Sequence, residues 1–252
     1  MNIDYPLPEQ LDGLKALWQE AFGDPDTFLD AFFSTGFSPD RFHCILEGDQ
    51  PVSALYWFDC QLEGHRLAYI YGVATLKSHR GRGLARQLMA ETHKILRSRG
   101  YSGVVLVPEK AYLFNFYRKL GYQTACAVTE FSCSWGDRPV LLQEIDADAY
   151  ARLRRSRLPE SSVVQEGENL AFLQTYARFY AGEDFLLVGE KEAGKLLCQE
   201  LLGNSQAAPG ILRALDIPEG RFRTPGKGRD LAMFLPLTEN CPVPAYFGLA
   251  LD

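Results

Sequence analysis

The 252-residue chain is 46% hydrophobic and 23% charged, a globular balance, and its length permits one large domain or two of about 125 residues each. Its formal net charge of −6 argues against a general nucleic-acid binder and fits a cationic substrate. No apolar run approaches the roughly 18 residues that span a bilayer, and residues 1–4 have no signal-peptide character, so we expect a cytoplasmic protein without a membrane partner. Scattered cysteines with no Cys-x-x-Cys pair predict free thiols and no metal site.

The segment 1–35 is predicted to form two helices separated by a break. Pro6-Leu7-Pro8 opens the segment, and Gly23-Asp24-Pro25-Asp26 interrupts the apolar pattern before it resumes on a second short helix. We expect most of the aromatic side chains here to pack in a core. The apolar positions at helical spacing are Leu11, Leu14, Leu17, Trp18, Phe22, Phe28, Leu29, Phe32 and Phe33.

Two apolar runs, 42–47 and 52–58, are predicted to form a β-hairpin around a turn that contains Gly48. Residues 60–66 are predicted to be another turn region. That region leads into Tyr69–Leu76, an apolar, β-branched and aromatic run that is typical of a strand buried on both faces.

A glycine-arginine loop follows this strand and precedes a helix. Apolar residues at three- and four-residue spacing predict the helix over 83–99, ending at Gly100. Helix N-termini leave backbone N–H groups unpaired and favour anions, glycines let a phosphate approach closely, and guanidinium groups match phosphate geometry. The loop is therefore either a phosphate-binding loop or a solvated basic turn. Its key residues are Arg80, Gly81, Arg82, Gly83 and Arg86.

A second buried strand is predicted at 103–107, parallel to Tyr69–Leu76 with the helix 83–99 as the crossover. A helix over 111–120 follows, and residues 122–131 are predicted to be a strand. Tyr117 on this helix is either a core tyrosine or a general acid, because a phenol held near a leaving group can donate a proton.

The motif Arg-x-x-Gly-x-Ala at 80–85 resembles motif A of the GNAT N-acetyltransferase superfamily, which binds the pyrophosphate of acetyl-coenzyme A. The stretch Phe116-Tyr117-Arg118-Lys119-Leu120-Gly121-Tyr122 resembles motif B of that superfamily, and its longer form looks similar to the Eis-type branch. The resemblance implies an α/β (α+β) fold with a mixed central sheet and flanking helices. It also implies that the helices after the first strand form part of the wall that contacts the acceptor substrate.

The resemblance further implies the residues of an acetyl-coenzyme A site. Tyr117 would protonate the departing coenzyme A thiolate. The family often has asparagine seven residues before this tyrosine, whereas here that position is Lys110 and Asn115 lies two residues before it. The residues implied to bind the co-substrate are Val73, Ala74, Thr75, Arg80, Gly81, Arg82, Gly83, Leu84, Ala85, Arg86 and Asn115.

A polar break at 132–140 is predicted to be a linker, which gives a catalytic domain over 1–135 and a second domain over 136–252. The second domain would be a degenerate GNAT-like domain that completes the substrate pocket, as in tandem members of the superfamily. Residues 225–229, Pro-Gly-Lys-Gly-Arg, are predicted to be a loop because no amphipathic helix follows them. Predicted helices in this half cover 146–158, 169–180 and 207–215, and predicted strands cover 185–190, 195–202, 231–237 and 246–251.

The predicted reaction is direct transfer of an acetyl group from acetyl-coenzyme A to a small-molecule or peptide amine, with the central strand leaving its neighbour near Val73–Thr75 to hold the thioester. An amine is protonated at neutral pH, so a base or a water chain must remove its proton. The resemblance to Eis-type enzymes implies that the terminal carboxylate of Asp252 is this base. Other candidate bases are Asp59, Glu63, His65 and Glu130.

Three rival functions stay open at this point. One is a non-catalytic acyl-coenzyme A sensor, the second is an aminoacyl- or longer acyl-transferase on the same fold, and the third is an inactive structural duplication. The glycine-arginine loop argues against the third. The identity of the acceptor, the acyl-chain length and the oligomeric state are not specified by these patterns.

Overall fold

The computed structural model describes residues 3–4 and 10–251, and the chain divides into two compact units. The first unit comprises residues 1–123 and 233–242, and the second comprises 124–232 and 243–252. The division therefore differs from the predicted single boundary after residue 135. Strand pairing is the reason, because β6 (Gln123–Ser134) pairs with β11 (Glu219–Pro225), whereas the end of β12 (Arg229–Pro236) pairs with β5 (Gly103–Leu106).

The two predicted N-terminal helices are confirmed. After the short strand β1 (Ile3–Asp4), they are α1 (Leu11–Phe22) and α2 (Asp26–Ala31), followed by one π-helical turn at Phe32–Gly36. Gly23, with φ of 80°, ends α1 in the left-handed conformation that glycine favours. The predicted opening at Pro6-Leu7-Pro8 lies outside the described residues.

The sheet of the first unit has the strand order β1-β2-β3-β4-β5, and the end of β12 adds to β5. All neighbours are antiparallel except β4 and β5, which are parallel as predicted. The predicted turn region 60–66 is wrong, because β3 and β4 continue to a tight turn at Glu63-Gly64, where both residues have positive φ. The strands are β2 (Phe42–Glu47), β3 (Gln50–Leu62) and β4 (His65–Thr75).

The crossover between β4 and β5 is α3 (Leu84–Ser98), as the apolar spacing predicted. Its buried face includes Leu84, Leu88 and Leu96, which join the core that covers one side of the sheet. The next helix, α4 (Ala111–Arg118), contributes Tyr117 to the same core. The loop between β4 and α3 is thus held at both ends by packed secondary structure.

The second unit repeats the strand arrangement of the first. Its order is β7-β8-β9-β10-β11-β6, again with a single parallel pair, β10 and β11, joined by a helix. In both units the sixth strand pairs antiparallel to the fifth. In the first unit this strand is the end of β12, which follows the segment 124–232 of the second unit, whereas β6 is continuous with the second unit's own segment. The remaining strands are β7 (Gln143–Ile145), β8 (Arg178–Ala181), β9 (Phe185–Glu192) and β10 (Lys195–Gly203), and the helices are α5 (Ala147–Arg155), α6 (Glu168–Leu173) and α7 (Ala208–Ala214).

Two predictions for this unit are wrong. The predicted helix over 169–180 ends at Leu173 and is followed by β8. The predicted closing strand over 246–251 makes only one isolated bridge within the described residues, between Tyr246 and Ser162. This C-terminal segment is held by burial and by the Gln165 side-chain amide, which donates to the carbonyl of Leu249 at 2.6 Å.

Candidate active site

A β-bulge interrupts β4 beside α1. Tyr71 pairs with Tyr56 and Ala74 with Ala54, so two residues of β4, Gly72 and Val73, lie opposite a single residue of β3. Gly72 has φ of 61°, and a Cβ there would come within 2.7 Å of the Trp18 ring. Only glycine fits this position without displacing its neighbours.

The bulge lies where β4 separates from β5. The last residue of β4 that pairs with β5 is Ile70, opposite Leu106. Beyond it, β4 continues to Thr75 without a partner strand on the β5 side. Ala74 is held from the β3 side, because its carbonyl accepts a hydrogen bond from Ser53 Oγ at 2.9 Å. The backbone around Val73–Thr75 thus has a fixed position at an opening between two parallel strands, as the sequence analysis expected.

The loop after β4 leads into an uncapped helix N-terminus. Gly81 and Gly83 have φ of 79° and 78°, and an added Cβ at either would meet nothing within 4 Å. Gly83 occupies the N-cap position of α3, and no side chain in the described part of the chain caps this end. The Gln87 N–H donates to the Gly83 carbonyl at 3.0 Å, and the backbone N–H groups of the first turn before it have no partner within the helix. This geometry suits an anion.

The arginines of the loop differ in their surroundings. Arg80 Nε donates to the carbonyl of Thr75 at 3.0 Å, which ties the loop to the end of β4. Arg82 is half exposed and lies 3.9 Å from Glu47, too far for a hydrogen bond, and Arg86 is exposed on the first turn of α3. A hydrogen bond from His79 at 2.8 Å lowers the pKa of Glu47. The carboxylate is thus engaged mainly by His79, and Arg82 and Arg86 are oriented toward solvent beside the helix N-terminus.

Tyr117 lies inside the first unit. It is 7% exposed and packs edge-on against Phe116 and Tyr122, with ring centroids 5.1 and 5.7 Å away. Burial raises the pKa of Tyr117 well above its usual value, so the phenol keeps its proton at neutral pH. Tyr122 is itself fixed by a 2.7 Å hydrogen bond to His93 Nε2. The Tyr117 hydroxyl forms no hydrogen bond within the described part of the chain, which leaves it able to donate to a ligand.

Asn115 is not brought to the same place as Tyr117. Two residues apart on α4, the side chains point to different sides of the helix. Asn115 is exposed and its Oδ1 accepts from Arg118 at 2.7 Å, whereas Tyr117 is buried. The structure therefore gives no support to a shared site for these two residues.

The candidate bases of the first unit lie at the far end of the β3–β4 hairpin. Asp59 accepts hydrogen bonds from Arg66 at 2.7 Å and from the Tyr101 hydroxyl, and Glu63 is in the hairpin turn with His65 next to it. Val73–Thr75 are at the opposite end of β4 from that turn. Asp59 lies opposite Ala68, and a strand rises about 3.3 Å per residue, so the distance along the strand to Val73 is roughly 17 Å for Asp59 and more than about 25 Å for Glu63 and His65, too far for proton transfer from an amine there.

The candidate bases beyond residue 123 have other positions. Burial alone would raise the pKa of Glu130, but hydrogen bonds from Arg229 and Arg221 outweigh it and lower the pKa to about 2. A carboxylate with such a pKa is a poor base. Asp252 lies outside the described residues, and Leu251 before it is buried.

The described residues of the second unit contain no counterpart of the glycine-arginine loop. At the start of its crossover helix, the Gly136 and Val140 backbone N–H groups donate to the carbonyls of Pro209 and Gly210, and a Cβ on Gly210 would meet the Val140 side chain at 2.6 Å. The chain segment 136–140 therefore packs against the first turn of α7, and the turn Ser205–Ala207 that precedes this helix contains neither glycine nor arginine. Neither crossover helix is capped by a side chain of the described residues, but within those residues only the first unit has a glycine-arginine loop before this helix.

Residues 3–125 match the family model described as the acetyltransferase (GNAT) domain. The chain carries a GNAT acetyltransferase domain. This match covers the predicted motif A loop, α3, the predicted motif B helix and Tyr117. It confirms the family resemblance for this part of the chain.

Solved structures of other GNAT proteins share the fold across nearly the whole chain. A GCN5-related N-acetyltransferase from Kribbella flavida is 21% identical with a TM-score of 0.69, covering 94% of this chain and 72% of that one. A related protein from Anabaena variabilis ATCC 29413 is 14% identical with a TM-score of 0.74, covering 94% and 73%. Eis1 from Mycobacterium abscessus is 13% identical with a TM-score of 0.67, covering 94% and 74%. At these identities the likeness establishes the fold and not the substrate.

A comparison with curated proteins found no match. None of the helices in the described part of the chain is long and apolar enough to cross a bilayer.

One feature of the candidate site was not predicted from the sequence, namely the bulge at Gly72. A glycine inside an otherwise β-branched and aromatic strand is a recognised signal of a bulge or of close backbone approach. Reading Tyr69–Leu76 as an uninterrupted buried strand passed over that signal. The burial pattern also differs from the expectation, since Tyr71, Gly72 and Val73 are only half-buried.

Proposed function

We propose that this protein is an acyltransferase that moves an acetyl group from acetyl-coenzyme A to an amine. The observation that carries the proposal is the open, uncapped N-terminus of α3, preceded by two glycines with positive φ and flanked by Arg82 and Arg86. This arrangement occurs in the part of the chain that matches the GNAT acetyltransferase domain. Acyl transfer is the chemistry of that family. The proposal adds that the donor is acetyl-coenzyme A and that the acceptor is an amine.

The pyrophosphate of the co-substrate would be held by backbone N–H groups of Gly83, Leu84, Ala85 and Arg86. The space beside Gly81 and Gly83 is open to the phosphate oxygens, since a Cβ added at either residue would meet nothing within 4 Å. Arg82 and Arg86 would add charge-assisted hydrogen bonds. Arg80 has a different role, because its contact with the Thr75 carbonyl fixes the loop relative to β4.

The acyl end would lie along β4 beyond the point where β5 stops. There the bulge at Gly72 turns the following backbone, and Val73–Thr75 have a free edge on the β5 side. Backbone groups on this edge would hold the thioester and its pantetheine arm. Ser53 supports this segment from the other side through the Ala74 carbonyl.

In the transfer, the amine nitrogen forms a bond to the thioester carbonyl carbon and the carbon–sulfur bond breaks. The departing thiolate takes the proton of the Tyr117 hydroxyl. Burial keeps Tyr117 protonated until that moment, and it disfavours an unprotonated thiolate in the same surroundings. The proton of the amine must leave by another route, and Asp252 stays our proposed acceptor for it.

Calorimetric titration with acetyl-coenzyme A tests the proposed binding site. Arg82→Glu reverses a half-exposed charge at the N-terminus of α3, and Lys94→Glu makes the same charge change toward the other end of this helix, where the lysine is 66% exposed. We expect micromolar binding by the wild type and at least about tenfold weaker binding by Arg82→Glu, since charge-assisted contacts are worth about 1.5–3 kcal/mol. Lys94→Glu should bind as the wild type does.

Two results would contradict the proposal. No binding by the folded wild type would remove the co-substrate site, and equal weakening by both variants would show only a general effect of charge. Thiol release with a panel of small-molecule and peptide amines then tests transfer. Binding without turnover on any amine or without acetylated product would favour an acyl-coenzyme A sensor.

Six free cysteines, five of them buried, fit a reducing compartment, and we therefore place the proposed reaction in the cytoplasm. We further propose that the second unit, which repeats the strand order of the first but has no glycine-arginine loop before its crossover helix within the described residues, is a degenerate GNAT-like domain without an acyl-coenzyme A site.

A further inference from the structure

A carboxylate and an imidazole join the β2–β3 hairpin to the loop that precedes α3. Glu47, the last residue of β2, accepts a hydrogen bond from His79 Nε2 at 2.8 Å. This hydrogen bond lowers the pKa of Glu47, so the side chain is an ionised acceptor at neutral pH. The other ring nitrogen of His79, Nδ1, lies 2.8 Å from Ser78 Oγ. Both nitrogens of the imidazole are therefore engaged, and the His79 side chain is only 12% exposed.

Strand pairing brings the hairpin beside the loop. Ser53 on β3 pairs with Thr75 at the end of β4, and the next residue, Leu76, still donates its backbone N–H to a carbonyl of β3. The chain that leaves β4 therefore runs along the hairpin. The carboxylate of Glu47 lies within reach of His79 for this reason, although the two residues are 32 positions apart in the chain.

The loop between His79 and α3 is not held by packing at its glycines. A Cβ added to Gly81 or Gly83 would meet nothing within 4 Å. Glycine also loses more backbone freedom on ordering than any other residue. The hydrogen bond from Arg80 to the end of β4 restrains the loop on one side, and the bond between His79 and Glu47 restrains it on the hairpin side.

The same carboxylate lies near Arg82. Glu47 Oε1 is 3.9 Å from Arg82 Nη1, a distance at which the charges attract without forming a hydrogen bond. Glu47 is also an anion next to the proposed phosphate site, and its charge alone would weaken phosphate binding. The hydrogen bond to His79 therefore has to contribute more to co-substrate binding than the carboxylate charge takes away, if Glu47 assists binding at all.

We propose that Glu47 and His79 are positioning residues for the proposed coenzyme A site. Their hydrogen bond holds the loop in the conformation that leaves the N-terminus of α3 open before the co-substrate arrives. A binding loop that is ordered in advance loses less entropy when the ligand binds. The inference rests on the proposed function, and it adds two residues that act through the loop without touching the co-substrate.

Two substitutions of Glu47 separate the effect of the hydrogen bond from the effect of charge. Glu47→Ala and Glu47→Gln both remove the negative charge, but the glutamine carbonyl can still accept from His79. A role through charge alone predicts that both variants bind acetyl-coenzyme A more tightly than the wild type. Positioning predicts about three- to tenfold weaker binding by Glu47→Ala, the range for loss of one hydrogen bond, and binding by Glu47→Gln that is at least as tight as that of the wild type.

The experiment is calorimetric titration with acetyl-coenzyme A. His79→Ala should weaken binding as Glu47→Ala does, and the variant with both substitutions should bind no more weakly than either alone, because both remove the same hydrogen bond. Glu91→Ala is the matched control, since it removes an exposed carboxylate that pairs with Lys94 further along α3, and it should bind as the wild type does. In the thiol-release assay, Glu47→Ala should raise KM for acetyl-coenzyme A and leave kcat unchanged.

Hydrogen exchange without the co-substrate reports on the loop itself. The backbone amides of residues 79–83 should exchange faster in Glu47→Ala than in the wild type, and Glu47→Gln should restore the slower exchange. Unchanged affinity or unchanged exchange in Glu47→Ala overturns the inference alone. Absence of acetyl-coenzyme A binding by the wild type would contradict the proposed function and this inference together, so the two failures are distinguishable.

Discussion

Replacing Gly72 by alanine tests whether the bulge in β4 is set by backbone conformation and by contact with Trp18. With φ of 61°, the position costs an L-residue about 1–2 kcal/mol. The new Cβ would also lie 2.7 Å and 2.9 Å from two Trp18 ring atoms and 3.0 Å from Tyr56. That ring cannot move aside freely, because it is 2% exposed and packs against Phe32 and other aromatic rings on several sides.

Overpacking of this kind costs about 1–3 kcal/mol, so we expect Gly72→Ala to lower the free energy of unfolding by about 2–5 kcal/mol in total. Gly100→Ala is the matched control, because Gly100 also has a positive φ, 80°, but nothing lies within 4 Å of its added Cβ. Gly100→Ala should lower the free energy of unfolding only by the cost of the positive φ, about 1–2 kcal/mol. The difference between the two variants isolates the contact with Trp18.

The assay is urea unfolding followed by both far-UV circular dichroism and tryptophan fluorescence, because two compact units can unfold in separate transitions. Equal costs for Gly72→Ala and Gly100→Ala would refute the steric argument. In that case the Trp18 ring has space to move, and the bulge depends on backbone conformation alone.

Three further predictions concern side chains of the two cores. Tyr117→Phe should leave stability and acetyl-coenzyme A binding unchanged but lower kcat by about 10²-fold or more, the usual contribution of a general acid; unchanged kcat in a thiol-release assay would remove Tyr117 from the reaction. Burial lowers the pKa of His93 to about 4, below its unfolded value of about 6.5, so its contribution to stability is present above about pH 6.5 and is lost as the pH falls toward 4. Burial also lowers the pKa of His43 to about 4, so both proteins should lose stability between pH 7 and pH 5, but urea unfolding should show a loss about 1–2 kcal/mol smaller in His93→Gln than in the wild type; an identical loss in both proteins would contradict this assignment. Glu200→Gln should cost about 3–5 kcal/mol in urea unfolding, because it leaves Arg154, 1% exposed and bound to Glu200 through two N–H···O bonds, as an uncompensated buried charge; a cost below about 1 kcal/mol would show that water or another group reaches the guanidinium.

The sequence predicted the region from β4 to α4 well because its signals are local. An apolar run followed by a glycine loop and an amphipathic pattern specifies strand, loop and helix within about thirty residues, and the parallel pairing of β4 and β5 follows from the crossover rule. The positions of Gly83 and Gly100 at the two ends of α3 follow from backbone conformation. Little of this depends on distant parts of the chain.

The predictions that failed depend on partners distant in sequence. β11 was not predicted, because the charged residues Arg221 and Arg223 on either side of Phe222 obscure the alternation of apolar and polar residues that is typical of a strand. Their partner Glu130 lies on another strand. Tyr180 matched the helical spacing of the preceding residues but belongs to β8, where it pairs with β9. Local spacing cannot distinguish these cases, since the choice is made by pairing across the sheet.

The candidate site shows the same difference between features specified by adjacent residues and features that depend on distant ones. The loop 80–86 was predicted because its residue types are adjacent in the chain, and the structure places it at an open helix N-terminus. Charge and residue type alone did not identify a base in the sequence. Glu130 is held by arginines more than ninety positions away in the chain, and no pattern around Glu130 itself indicates them.

The order in which the two units are completed has a consequence for synthesis on the ribosome. The first unit needs residues 233–236 to pair with the edge of β5, and these residues emerge only after the whole of 124–232 has been made. Until then β5 exposes unpaired backbone groups along one edge, a template for pairing with other nascent chains. A fragment ending at residue 135 should have the same exposed edge permanently, so neither unit can be obtained intact by cutting the chain once.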